Sequence, residues 1–191
     1  HNGAISQSDR KAGFYGLDLY NMSGSIAAVL AYLDDVDPDA AAVARQRYGC
    51  LTPWQNDPAT YGRAVLRSGY KSCEDAVVNQ CRELLERSVS RADGNLLDAQ
   101  QSARLIASAE KYYRVMYYGG AETWNLRDRH MFDTLGHLLE ARGPNSKAVV
   151  WAHNSHIGDA RHTDMGIMRG ALNIGQLCRE RFGERAALVG F

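Results

Sequence analysis

The sequence predicts an α/β fold in which three short strands frame a large helical block. Three apolar runs of six or seven residues have the length and composition of buried strands, and they span residues 13–19, 147–152 and 186–191. Between the first two runs, over about residues 22–142, apolar residues recur at the helical period of three to four positions. We therefore expect one sheet, flanked by helices, with the helical block inserted after its first strand.

Turn-forming residues divide the helical block. The first helix begins near Ser23 or Ser25, either of which can cap it, and ends near Pro38. Pro38 suits the first turn of a second helix that runs through Tyr48, and residues 50–58 read as a loop. A turn is expected at 93–95, and further helices are expected over 74–90, 96–118, 122–141 and, beyond the second strand, 173–182.

Three strands are fewer than the roughly four to six of a usual sheet. The chain also ends on a predicted strand and begins without Met. We therefore expect residues 1–191 to be a single domain that is truncated at its N-terminus and also at its C-terminus.

The composition excludes several classes of partner. Lys plus Arg and Asp plus Glu both number 22, so the net charge gives no reason to expect nucleic acid or an acidic membrane. No apolar run approaches the roughly 18 residues of a membrane span, and no signal peptide is visible. The four cysteines form no CxxC pair, so we expect free thiols in a cytoplasmic protein. Nothing in the sequence indicates an oligomeric state.

The densest polar cluster, residues 151–164, follows the second predicted strand directly. Ligands bind beyond the carboxyl ends of strands in open α/β sheets, and imidazole transfers protons near neutral pH. His153 and His156 are therefore candidate catalytic residues, although ordinary hydrogen-bonded histidines would give the same pattern. A zinc site with Asp159 or His162 is a rival interpretation. No Cys or Glu lies at a diagnostic spacing, so we expect no metal and no other cofactor.

Two smaller clusters complete the candidates. Near a helix start, Asn125 can cap the helix and Arg127 can clamp a carboxylate through two hydrogen bonds, but an ordinary solvated first turn looks the same. At the end of the first predicted strand, Asp18 is either a catalytic or orienting residue or a cap for the following helix.

These clusters resemble segments of the erythromycin esterase family. The matching runs are Gly-Leu-Asp-Leu-Tyr at 16–20, Trp-Asn-Leu-Arg-Asp at 124–128 and, most specifically, Trp-Ala-His-Asn-Ser-His-Ile at 151–157. Segments at 173–177 and 188–191 are also similar, so the resemblance covers nearly the whole chain in order. It implies an α/β enzyme with a helical insertion that hydrolyses a small-molecule ester such as a macrolactone. In that reaction, an activated water attacks the ester carbonyl.

The resemblance implies that His153 lies in the active site with His156 beside it, and that Arg127 and Asp128 belong to a motif near the same cleft. From the sequence and the resemblance together we predict the following site residues. The catalytic residues would be His153, His156 and Asp18. The substrate-binding residues would be Arg127, Asp128, Asn154 and Tyr20.

The chain departs from the family pattern in one respect. It lacks the family's Gly-Glu-x-x-His-Gly motif, whose Glu and His are central to water activation. We therefore expect little esterase activity from these residues alone. A non-catalytic binding or biosynthetic accessory domain that retains the fold is the alternative hypothesis, and a zinc hydrolase is a third.

Overall fold

A computed structural model of the chain describes residues 12–87 and 94–190. Within these ranges the protein is built from helices joined by turns and irregular segments. The helices are α1 Met22–Val36, α2 Pro38–Tyr48, α3 Pro58–Ser68, α4 Glu74–Glu86, α5 Gly94–Val115, α6 Glu122–Arg142, α7 Asn154–Ile157, α8 Asp164–Arg169 and α9 Ile174–Phe182. Short 3₁₀ turns span Gly49–Trp54, Ala160–His162 and Gly183–Arg185.

The predicted α/β fold is wrong, because the described part of the chain contains no strand. Residues 13–19, 147–152 and 186–190 have no regular secondary structure, and residue 191 lies outside the described ranges. An apolar run indicates a tendency toward burial, whereas a strand also needs a hydrogen-bonded neighbour. Here Val149 and Trp151 are about nine-tenths exposed, at 94% and 89%, so the second run is not even buried.

The helix predictions are confirmed by α1, α2, α4, α5, α6 and α9. The helix predicted over 74–90 is described only as far as residue 87 and is helical to Glu86, because residues 88–93 lie outside the described ranges. Of the turn predicted at 93–95, residue 93 lies outside these ranges, whereas residues 94 and 95 belong to α5. Two details differ. The predicted loop at 50–58 is largely the turn Gly49–Trp54, and α3 was not anticipated although Pro58 occupies its first position.

The main core forms where α1, α3 and α4 pack against α5. Fully buried members include Leu33 from α1, Tyr61 from α3, Leu84 from α4 and Ile106 from α5. A second, smaller core joins α6 to α9 through Met131, Leu135 and Ile174. Because α6 also packs against α5, it connects the helical body to the C-terminal segments.

Two of the four cysteines are paired, so the expectation of four free thiols is wrong. Cys50 and Cys73 form a disulfide with their Cα atoms 6.0 Å apart, whereas Cys81 and Cys178 are free. The two partners are 23 positions apart, and spacing in the sequence does not reveal that the turn after α2 meets the residue before α4.

A buried charged network lies beside the disulfide. The Glu110 carboxylate of α5 is 1% exposed and accepts a hydrogen bond from the Tyr61 hydroxyl at 2.5 Å. Arg114, one turn further along α5, donates to the same carboxylate at 2.9 Å. The Tyr61 oxygen in turn accepts the backbone N–H of Cys73. This network ties α3 and the start of α4 to α5 at one point.

None of the helices within the described ranges is both long and apolar enough to cross a membrane.

Candidate functional site

The first turns of α6 organise the candidate site. Arg127 and Asp128 are consecutive on this helix, and their side chains reach two different segments of the chain. Arg127 binds the segment before α1, and Asp128 binds α7. Residues more than a hundred positions apart in the sequence are therefore brought together at one end of α6.

Arg127 holds Asp18 in a bidentate ion pair. Its Nε and Nη2 donate to the two carboxylate oxygens at 2.9 and 2.6 Å. Burial would raise the pKa of Asp18. Hydrogen bonds from Arg127 and from the backbone N–H of Leu19 outweigh burial, so this pKa lies below its ordinary value. A positive charge on His156 would lower the pKa of Asp18 in the same direction.

Asp128 holds His156. The imidazole Nδ1 lies 2.9 and 3.0 Å from the two carboxylate oxygens. Asp128 is completely buried, and its Oδ1 also accepts the backbone N–H of Ile174 at 3.0 Å. The second ring nitrogen of His156, Nε2, has no hydrogen-bond partner within residues 12–87 and 94–190, and a tenth of the side chain is exposed.

Trp124, one turn before Asp128 on α6, stacks against the His156 ring. Its ring is parallel to the His156 imidazole, with an interplanar angle of 3° and a centroid distance of 4.6 Å. The indole N–H donates to the Leu172 carbonyl at 2.7 Å, so this hydrogen bond and the stack on His156 together fix the orientation of the indole ring.

Asn125 clamps the segment that leads into α9. Its amide donates to the Gly170 carbonyl at 3.0 Å and accepts the Leu172 N–H at 2.8 Å. Asn125 therefore lies within α6 and is not the cap that the sequence indicated. Asn173 caps α9 and also donates to the Ser155 carbonyl at 2.9 Å, which fixes α7 against α9.

His153 precedes α7 and caps it. Its Nδ1 accepts the backbone N–H of Ser155 at 3.2 Å and lies 2.9 Å from the Ser155 hydroxyl. Because a backbone N–H can only donate, Nδ1 carries no proton in the neutral ring, and the proton is on Nε2. His153 is exposed, in contrast to His156.

The remaining candidates lie at the edge of the site. Tyr20 is 49% exposed, and the Arg127 guanidinium lies 4.6 Å from the centre of its ring. The Tyr20 hydroxyl lies 3.1 Å from that of Tyr112. Asn154 is exposed at the first position of α7.

The structure thus forms two direct pairs, Asp18 with Arg127 and Asp128 with His156, on consecutive residues of α6, and His153 is three positions before His156. Sequence reasoning missed Trp124 and Asn173 as parts of the site. A signal was present, because both belong to the runs that carry the family resemblance. Asp128, which was predicted to bind substrate, is completely buried and contacts His156, and its contact with a substrate stays a prediction.

The arrangement does not resemble a metal centre. In the ranges that the structure describes, no three His, Cys, Asp or Glu side chains converge as a metal-binding group. Asp159, the proposed partner in a zinc site, is bound by both the Nε and Nη2 of Arg161, at 2.9 and 2.6 Å.

Two comparisons with known proteins concern the family and the fold of the chain. The model of the erythromycin esterase family matches residues 1–191. The structure is also similar to the crystal structure of a succinoglycan biosynthesis protein, with a TM-score of 0.78 and 21% sequence identity. The similarity covers 99% of this chain and 44% of that one, so this chain spans less than half the length of its structural relative.

Proposed function

Because the chain belongs to the erythromycin esterase family, we propose that it carries part of the active site of an ester hydrolase. The reaction is attack of a water molecule on the carbonyl of a small-molecule ester, which yields a carboxylic acid and an alcohol. The observation that carries this proposal is the His156 imidazole, which is bound at Nδ1 by a buried carboxylate and leaves Nε2 for the substrate.

The two histidines differ in what they offer a substrate. The His156 Nε2 accepts the proton of the attacking water, and the resulting imidazolium then protonates the leaving alkoxide. The His153 Nε2–H donates a hydrogen bond to the carbonyl oxygen, on which negative charge develops in the transition state. One ring thus serves as base and the other as donor, because their Nδ1 atoms have opposite partners.

The Asp18–Arg127 pair contributes fixed charge beside His156. The Asp18 carboxylate stabilises the imidazolium that forms during the reaction, and it stays ionised because Arg127 holds its pKa low despite burial. Tyr20 and Asn154, both exposed, are proposed to contact the substrate.

The test is a hydrolysis assay on a panel of aryl esters and macrolactones, with the 191-residue chain and with the product of the complete open reading frame. His156→Gln should lower kcat/KM by at least about tenfold in whichever protein is active, since general acid–base catalysis contributes ~10²–10⁴-fold. His162→Gln is the matched control, because His162 is exposed and belongs to the same segment. An unchanged rate in His156→Gln contradicts the proposal.

A second candidate function is that of a non-catalytic binding or biosynthetic accessory domain. It is favoured by the similar crystal structure, which is that of a succinoglycan biosynthesis protein. If the complete product hydrolyses no ester on the panel, this second candidate replaces the first.

A further inference from the structure

We propose that Asp128 and Trp124 are positioning residues that hold His156 in the tautomer with its proton on Nδ1, which leaves Nε2 as a proton acceptor. This inference rests on the proposed function for its catalytic meaning, but the tautomer itself can be observed without any activity.

The proton position follows from the contacts of Asp128. An ionised carboxylate only accepts hydrogen bonds, and both of its oxygens lie within 3.0 Å of the His156 Nδ1. Since Asp128 is completely buried, a proton on Nε2 alone would leave a buried charge facing a ring lone pair. The Nδ1–H tautomer avoids this arrangement.

Trp124 restricts the ring itself. A half-turn of the imidazole about its Cβ–Cγ bond would exchange Nδ1 for a carbon atom and break the bond to Asp128. The parallel stack at 4.6 Å opposes this rotation, because the edge of the turning ring would strike the indole. The hydrogen bond from the indole N–H to the Leu172 carbonyl keeps Trp124 from moving away from the imidazole.

The test is Asp128→Asn, because the shape is kept and only the hydrogen-bonding pattern changes. The Asp128 Oδ1 accepts the Ile174 N–H at 3.0 Å, so the amide oxygen of Asn should retain this position. The amide NH₂ then takes the place of Oδ2 and donates to the His156 Nδ1. The variant should therefore move the proton of the neutral ring to Nε2.

The measurement is a long-range ¹H–¹⁵N correlation spectrum of the 191-residue chain with ¹⁵N-labelled histidine, recorded at alkaline pH where the rings are neutral. In the parent, His156 should show the Nδ1–H pattern and His153 the Nε2–H pattern. Asp128→Asn should convert His156 and leave His153 unchanged. Asp133→Asn, an exposed site on the same helix, is the control and should change neither ring.

Trp124 is tested in the same spectrum. Trp124→Phe keeps an aromatic face and should keep the Nδ1–H pattern, whereas Trp124→Leu should give mixed tautomers. The same His156 tautomer in these two variants would remove Trp124 from the proposal.

The outcomes separate this inference from the proposed function. A parent His156 with its proton on Nε2, or an Asp128→Asn variant with an unchanged pattern, overturns the positioning role whatever the hydrolysis rate. A converted tautomer with full hydrolytic activity keeps the positioning role and removes His156 from catalysis. We expect a converted tautomer together with at least about a tenfold loss of kcat/KM, no larger than that of His156→Gln and falling mainly on kcat. If Asp128→Asn does not fold, the parent spectrum can still overturn the positioning role, and the two Trp124 variants still test it.

Discussion

His130 should link the stability of the protein to pH. This residue of α6 is only 7% exposed. Burial lowers its pKa from 6.5 to about 4; the neighbouring charge of Asp18 opposes this shift, and His137 adds to it. The perturbation is therefore a decrease in pH from 7 to 4, through which the unfolded chain gains a proton on this ring before the folded protein does.

The direction and the size of the change in stability both follow from the pKa of His130. Between pH 6.5 and about pH 4 the unfolded state binds more protons, so the free energy of unfolding falls as the pH falls. The stabilisation is fully present above pH 6.5 and is lost as the pH approaches 4. At ~1.4 kcal/mol for each pKa unit, the loss is about 3 kcal/mol, a large part of the usual ~5–15 kcal/mol.

The assay is urea unfolding followed by circular dichroism at pH 7, 5.5 and 4. His130→Gln removes the titrating ring, so its free energy of unfolding should fall by about 3 kcal/mol less than that of the parent. His162→Gln, at an exposed position, should follow the parent. Carboxylates contribute to all three proteins alike. A decline in His130→Gln as steep as that in the parent would refute the reasoning.

Three further predictions concern stability. Reduction of the Cys50–Cys73 disulfide should lower the free energy of unfolding by about 3 kcal/mol, the value for a loop of this length; urea unfolding with and without reductant measures it. Gly62→Ala should lower the free energy of unfolding by about 1–3 kcal/mol, because a Cβ there would clash with the backbone of α5. Gly136→Ala should raise it by ~0.5–1 kcal/mol, because a Cβ there meets open space and alanine favours the helix. Equal thermal midpoints for the two variants and the parent would contradict both predictions. Glu110→Ala should lower the free energy of unfolding by about 1–3 kcal/mol, because the buried Tyr61 hydroxyl loses its acceptor and Arg114 keeps only its ion pair with Glu74; a midpoint within a degree of the parent would exclude this.

The helices could be predicted because their signal is local. The spacing of apolar residues in α1, α5 and α6 reflects one buried face on each helix, and Pro38 and Gly143 mark ends that depend on backbone geometry alone. The apolar runs at 13–19 and 147–152 carried no comparable information. Strand formation depends on a hydrogen-bonded neighbour, which no property of the run itself supplies.

The sequence indicated segments that the structure brings together, but it did not indicate the contacts between their residues. Arg127 was expected to clamp a carboxylate, and Asp18 provides that carboxylate. The burial of Asp128 beneath His156 could not be read from the sequence, because it depends on how α7 and α9 pack against α6. The disulfide escaped prediction for the same reason.

The position of the site on α6 determines how it can be studied. Neighbouring residues on a helix point about 100° apart, and accordingly Arg127 contacts the segment before α1 whereas Asp128 contacts α7. The same helix packs against α5 in the main core and against α9 in the smaller one. A substitution at Asp128 therefore perturbs a packing contact as well as a candidate catalytic group, and a loss of activity alone would not distinguish the two effects. The tautomer of His156 does distinguish them, because a loss of stability that leaves Asp128 and Trp124 against the ring keeps the Nδ1–H pattern, whereas an exchanged hydrogen-bonding group at residue 128 moves the proton to Nε2.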